Sequence, residues 1–108
     1  MPTYKNIKPN ELKLLIDEIN DLLVIDCRTK EEVDEQSLNY DINIDLYNQA
    51  DIAKIGTLDS EKSYLIYCHS GSRSSYFCTY LSQQGFKKLY NLDGGIALWN
   101  HYNRNNLL

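Results

Sequence analysis

Residues 64–78 read YLIYCHSGSRSSYFC. An apolar run of strand character ends on Cys68. His69, Ser70, Gly71, Ser72 and Arg73 follow, and helical spacing begins at once. A buried strand that turns directly into a helix puts its last residue beneath a helix N-terminus. That limits the chain to folds in which strands and helices alternate in layers. It also puts Cys68 at the carboxyl end of a strand, where the ligands of parallel sheets gather.

The rest of the chain alternates in the same way. Residues 4–7 are a candidate first strand. Pro9 is placed to open a helix in which Leu12, Leu15, Ile16 and Ile19 recur at helical spacing. LLVID, residues 22–26, is the short continuous apolar run expected of a buried parallel strand. Thr29 reads as an N-cap, and Glu32 completes a capping box for a short helix ending near Gln36. INI, 42–44, is a small strand, and 47–55 a helix stopped by Gly56. YLIYC, 64–68, is the next strand. A helix over 71–84 follows, with Tyr76, Phe77, Tyr80 and Leu81 inward and Gly85 as its stop. KLYNL, 88–92, is a strand, DGG a turn, and 96–102 a last helix holding Trp99. The expectation is one α/β domain over residues 1–108, with a central, mostly parallel sheet of about five strands and helices on both faces.

The loop after Cys68 carries the chemistry. An ordinary thiol titrates near ~8.5 and is mostly protonated at neutral pH. Just ahead of a helix it meets unpaired N–H groups and the positive end of the helix dipole, and both favour the thiolate. Arg73 adds a fixed positive charge. Gly71 lets the chain curl through positive φ, and Ser70, Ser72 and Ser74 bring hydroxyl donors without bulk. Together they form an anion nest with a sulfur at its base. Cys68 and Arg73 are the candidate catalytic residues. His69, Ser70, Gly71, Ser72 and Ser74 are candidates for binding substrate. Asp26 and Arg28, at the end of the 22–26 strand, read chiefly as a supporting ion pair beside the site.

Composition closes other routes. The net charge of −4, with no basic face, disfavours nucleic acid, and the nine tyrosines are not interleaved with basic residues as a stacking platform. No apolar run is long enough to cross a membrane, and the N-terminal stretch lacks a signal-peptide core, so a cytoplasmic location is expected. Three cysteines, Cys27, Cys68 and Cys78, form no CxxC pair and argue against a disulfide framework. With His69 and His101 as the only histidines, no metal site is expected. Cys78 reads as buried and inert, Trp99 as core, and Asp59 with Glu61 as a solvated loop.

YCHSGSRS resembles the active-site loop of rhodanese-like domains, the sulfurtransferases. LLVIDCRTKEEV resembles that family's segment in which a strand ends in Asp-x-Arg and a Glu follows in the next short helix. YNLDGGIALW resembles its closing strand, Gly-Gly and Trp-bearing helix. The three occur in the family's order over residues 22–99. One segment departs: Gln36, Ser37 and Leu38 stand where the family carries Gly-His-Ile, and Tyr40 and Asp41 where it carries Gly-Ala. The resemblance implies a rhodanese-like fold and sulfur transfer through a Cys68 persulfide. Thiosulfate would serve as a donor and a thiol or cyanide as acceptor, with no cofactor; a protein could also supply or receive the sulfur. Arg73 would hold the donor's oxyanion end.

Alternatives remain at this level. Phosphatases and arsenate reductases also close a Cys loop with Arg, but phosphatase loops are longer than the four residues between Cys68 and Arg73. A persulfide carrier or partner-binding module would use the same fold. Cys27, at the end of the 22–26 strand, is either a small core residue or, if that strand is a near neighbour of 64–68, a thiol that resolves an oxidised or persulfidated Cys68 as a disulfide. The second role requires that the two sulfurs share one face of the sheet.

Overall fold

The computed structural model of the chain describes residues 3–106. Its strands are β1 (Lys5–Ile7), β2 (Leu23–Asp26), β3 (Ile42–Asn43), β4 (Ser63–Tyr67) and β5 (Lys88–Leu92). They form one sheet in the order β1-β5-β4-β2-β3. Every pairing is parallel, so the sheet expected to be mostly parallel is wholly so. The helices are α1 (Leu12–Glu18), entered through a 3-10 turn at Pro9–Glu11, α2 (Lys30–Glu35), α3 (Gln49–Ile52), α4 (Ser72–Gln83) and α5 (Gly95–Asn106).

The continuous apolar runs go to the middle of the sheet. β4 is buried along its whole length, as a parallel strand covered on both faces must be. Period-two alternation sorts its residues and those of β2 onto two cores. One face carries Ile25, Cys27, Tyr64, Ile66 and Cys68 against Phe77, Cys78 and Leu81 of α4. The other carries Val24, Leu65, Tyr67 and Leu92 against Leu12 and Leu15 of α1 and Ile96 of α5, with Trp99 packed on its margin. Burying each large apolar side chain contributes about 1.5–3 kcal/mol, so α4 is anchored chiefly by Phe77 and Leu81.

The Thr29 cap forms as the sequence indicates. Its hydroxyl accepts from Glu32 N at 3.3 Å, and Glu32 Oε1 accepts from Thr29 N at 3.2 Å.

Three local expectations change. The inward face of α4 is Ser74, Phe77, Cys78 and Leu81, not the Tyr76–Phe77–Tyr80–Leu81 stripe. Both sets fit a helical period, but α4 leaves the loop directly onto the sheet, so its first turn must present a small residue there. Ser74 is that residue, fully buried, and this phase turns Tyr76 and Tyr80 outward. In α1, Ile16 is exposed while Leu12 and Leu15 are buried. The expected 47–55 helix is divided: α3 is capped by the Asn48 side chain and passes into a 3-10 turn at Ala53–Thr57 that contains Gly56. Among the described residues no helix is long and apolar enough to cross a membrane.

β2 and β4 are neighbours, paired through Asp26 and Tyr67. The ladder continues one step further, with Cys27 N donating to the Tyr67 carbonyl at 3.1 Å. Cys27 and Cys68 therefore leave the sheet side by side.

Candidate active site

Cys68 is the first residue beyond β4, and Gly71 is the N-cap of α4 with φ of 100°. This left-handed conformation folds the loop back over the sulfur. The N–H of Gly71 donates to Cys68 Sγ at 3.1 Å, and the N–H and hydroxyl of Ser74 each donate at 3.4 Å. His69, Ser70 and Ser72 are exposed, whereas Cys68 and Ser74 are buried. Of the loop residues singled out from the sequence, Gly71 and Ser74 are thus the ones whose donors meet the sulfur.

The Gly-Gly turn before α5 holds the loop from behind. Ile96 N donates to the Cys68 carbonyl and Ala97 N to the His69 carbonyl, each at 3.0 Å. A Cβ on Gly95 would collide with those same carbonyl oxygens, and one on Gly71 would lie 3.1 Å from Gly94 N. The start of α5 thereby turns the loop carbonyls away and leaves N–H groups facing the thiol.

Cys68 is strongly acidified, to about 4. The largest cause is a hydrogen bond from the Cys27 thiol. Burial opposes the shift, and the Ser74 hydroxyl, the Ser74 N–H and the Gly71 N–H add to it. Cys27 is held far above the usual thiol range by that same hydrogen bond and by burial. The acceptor that the structure gives its single S–H is the Tyr67 carbonyl at 3.4 Å, with Cys68 the neighbouring thiol on the same face of the next strand. All three cysteines are free thiols. Cys78 behaves as expected of a core residue: buried, with its thiol pushed up to about 12 by that burial.

Arg73, at the head of α4, is gripped by Glu32 of α2. Its Nη1 donates to Oε1 at 2.7 Å and its Nη2 to Oε2 at 2.8 Å. The pair raises the arginine further and lowers Glu32 to about 2. From the sequence Glu32 has a capping role only. The clamp on Arg73 was visible at most in the position of that Glu in the helix after Asp26-Cys27-Arg28. The face that Cys27 occupies was legible in principle, because Cys27 is two residues beyond Ile25 and so shares its side of the sheet.

Asp26 and Arg28 form a closed knot on the opposite face. Asp26 Oδ1 accepts from Arg28 N and Nε, both at 3.0 Å. Oδ2 accepts from Arg28 Nη2 at 2.8 Å and from the Tyr67 hydroxyl. The guanidinium stands 5.5 Å from the centre of the Tyr67 ring. Asn43 ties the strand ends together by donating to the Asp26 and Arg28 carbonyls at 2.9 and 3.1 Å. The knot also reaches the segment that departs from the family pattern. Arg28 Nη2 donates to the Gln36 carbonyl at 2.6 Å, and Leu38 N donates to the Tyr67 hydroxyl at 3.0 Å. Both bonds use backbone atoms, so the path of that segment does not depend on Gly-His-Ile side chains.

Beside the loop an open cleft of about 550 Å³ is lined by Leu46, Ile52, Ile55, Phe77 and the tyrosines 47, 76 and 80, with Ser72 and Arg73 at its loop end. Tyr47 and Tyr76 are each 74% exposed. The cleft is the destination of the aromatic residues that α4 turns away from the core.

Comparison with known proteins agrees with this geometry. The family model for the rhodanese-like domain matches residues 8–102. A putative sulfurtransferase of Bacillus subtilis, YtwF, is 40% identical over 96 residues, covering 88% of this chain and 89% of its own. The thiosulfate sulfurtransferase GlpE of Pseudomonas aeruginosa is 30% identical over 97 residues, covering 90% of this chain and 84% of its own. The crystal structure of a rhodanese-related protein from Thermoplasma volcanium superposes with a TM-score of 0.75 at 29% identity, over 92% of this chain and 93% of that one.

Proposed function

The chain belongs to the rhodanese-like domain family as one of its sulfurtransferases, and from that premise we propose that it moves a sulfane sulfur from a thiosulfate-class donor to a thiol through a persulfide on Cys68. The observation that carries the reading is the convergence of the Gly71 N–H, the Ser74 N–H and the Ser74 hydroxyl on one acidified sulfur.

In the first step the Cys68 thiolate attacks the outer sulfur of thiosulfate. The S–S bond of the donor breaks, sulfite leaves with the electron pair, and Cys68 carries a terminal anionic sulfur. In the second step an acceptor thiolate, or cyanide in an assay, attacks that terminal sulfur and the Cys68 thiolate is released. Charge and atoms balance in each step, and a covalent intermediate of this kind gives ping-pong kinetics. The loop serves both states. Fixed N–H donors stabilise the anion wherever it sits, at little reorganisation cost.

Arg73 supplies charge at the loop's edge. Glu32 uses one hydrogen on each terminal nitrogen, and a guanidinium carries five N–H donors. Hydrogens therefore remain to meet the sulfonate end of a donor. The apolar cleft beyond Arg73 favours an acceptor with an apolar body over a small polar one. The relatives named GlpE support thiosulfate as the donor type.

Intact-mass measurement after incubation with thiosulfate, followed by peptide mapping, tests the reading. A gain of one sulfur on Cys68, lost on adding cyanide with release of thiocyanate, is expected. An unmodified Cys68 after thiosulfate and polysulfide treatment would sink it.

A further inference from the structure

The transfer steps above give no task to Cys27, yet it is a second thiol buried in the same core cluster as the reacting sulfur. Three observations fix the placement. The β2–β4 register ends on Asp26 and Tyr67, and the Cys27 N bond to the Tyr67 carbonyl continues it, so the next opposed pair is Cys27 and Cys68. Neighbouring strands run about 4.8 Å apart. Both thiols face the α4 side of the sheet, in one cluster with Ile25, Ile66 and Phe77. Both are buried, at 1% and 0% exposure. Cys27 therefore stands beside Cys68, on the neighbouring strand and the same face of the sheet.

A buried polar hydrogen needs an acceptor at every stage of a reaction cycle. The structure gives the S–H of Cys27 the Tyr67 carbonyl at 3.4 Å, and the Cys68 sulfur is the neighbouring acceptor on the same face of the next strand. We propose that Cys27 is the positioning residue of the transfer reaction. Its S–H turns to Cys68 while that sulfur carries the charge, and swings to the Tyr67 carbonyl once the charge has moved out to the transferred sulfur. This rests on the reading of Cys68 as the persulfide carrier. No proton is transferred, and only the hydrogen bond changes partner. This donor, from the neighbouring strand, completes the set supplied by Gly71 and Ser74.

The other groups around the pair do not duplicate this role. From β2, the Asp26 carboxylate is on the opposite face and committed to Arg28 and Tyr67. From α4, the Arg73 guanidinium is held by Glu32 of α2, and Cys78 is a buried thiol whose bond goes to the Tyr90 carbonyl at 3.9 Å. From the loop, His69 is exposed. Cys27 is thus the side chain whose removal changes the charge balance at Cys68 without opening the loop.

The test is the pH dependence of Cys68 alkylation by iodoacetamide, read by mass spectrometry, in the wild type, Cys27→Ala and Cys27→Ser. The wild-type midpoint is expected near 4. Cys27→Ala should move it up by about one unit or more, a roughly tenfold loss of thiolate at a fixed pH below the midpoint. Cys27→Ser, which keeps a hydroxyl donor, should recover at least half of that shift. A merely structural thiol would lower thermal stability in both variants and leave the midpoint alone. If Cys27→Ala keeps the wild-type midpoint while the wild type still takes up sulfur from thiosulfate, the positioning role is wrong and the transfer reading stands. If the wild type takes up no sulfur, the transfer reading fails first. Should Cys27→Ala not fold, Cys27→Val removes the same donor while keeping the volume, and the same midpoint comparison decides.

Discussion

The carboxyl ends of β2 and β4 lie side by side, and they put similar side chains to opposite uses. At β2 a buried carboxylate takes four hydrogen bonds, from Arg28 N, Nε and Nη2 and from the Tyr67 hydroxyl. Donors and acceptors are matched there, and the result is a knot that holds strand ends and the 36–38 backbone. At β4 the donors converge on a single sulfur at 3.1–3.4 Å, with no cation bonded to it. In the proposed reaction this strand end is the reactive one because its donors surround one soft anion whose charge can move outward by one sulfur. The pleat keeps the two arrangements apart, with Asp26 and Tyr67 on one face and Cys27 and Cys68 on the other.

The sharpest break of that contrast is Cys68→Ser. A serine hydroxyl is not ionised by these donors and cannot hold a sulfane sulfur. Transfer should fall on the order of 10⁴-fold or more, to background, with the thermal unfolding curve little changed. Cys78→Ser, in the core behind α4, should keep most activity. Measurable turnover of thiosulfate and cyanide by Cys68→Ser would remove the nucleophile from its place.

The mirror experiment is at β2. Asp26→Ala leaves the Arg28 guanidinium buried, at 3% exposure, without its counter-charge. Breaking a buried pair this way costs about 3–5 kcal/mol, a large share of the stability of a small domain. Urea unfolding should show the loss, while the rate per folded molecule falls far less than in Cys68→Ser. A change in stability below about 1 kcal/mol would mean that the knot is not what holds the strand ends.

The difference between these regions also decides what could be read from the sequence. The alternation of strands and helices, the Thr29 cap and the span of β5 follow from local patterns and appear as expected. The site loop was legible because Cys68, Gly71 and Arg73 are close in sequence and each has a local reason to be there. The remainder depends on long-range partners. The phase of α4 is not fixed by the sequence, because tyrosine and phenylalanine look equally apolar in a pattern. Only the close approach of α4 to the sheet selects Ser74 and Cys78 for the inside. The Glu32–Arg73 clamp joins residues 41 positions apart in sequence, and no local pattern states which helix will lie alongside.

A smaller effect is expected at Arg73, where the two kinds of region meet: a matched ion pair at the edge of the reactive loop. Arg73→Ala should lower kcat/KM for thiosulfate about ten- to hundredfold, about 1.4–2.7 kcal/mol. Arg73→Lys should restore part of it, since a point charge lacks the planar fork. The pair also has a pH signature. Glu32 is lowered from 4.5 to about 2, chiefly by its hydrogen bond to Arg73. A lowered carboxyl contributes stability that is fully present above 4.5 and is lost as pH falls through about 2. Denaturant midpoints measured across that window should fall more steeply in the wild type than in Arg73→Ala. Equal slopes would mean that the clamp is not formed in solution.

The smallest effect concerns the cleft, and it separates the acceptor's needs from the donor's. Tyr76 is 74% exposed on a helix whose opposite face is fully packed, so its removal should leave the fold and the Cys68 loop intact. Its ring lines the cleft with Tyr47, Ile52 and Tyr80. An acceptor with an apolar body that rests there loses contact area in Tyr76→Ala worth about 1 kcal/mol, so its KM should rise roughly fivefold. Cyanide is too small to use the cleft, and in the proposed reaction thiosulfate meets N–H groups and charge at the loop rather than the cleft. The KM of each should therefore stay at the wild-type value. Steady-state assays with cyanide, glutathione and an aromatic thiol as alternative acceptors read all of this in one series. An equal rise for all three acceptors would place Tyr76 in the support of the loop itself. No rise for the aromatic thiol would mean that acceptors approach Cys68 by the His69 side of the loop.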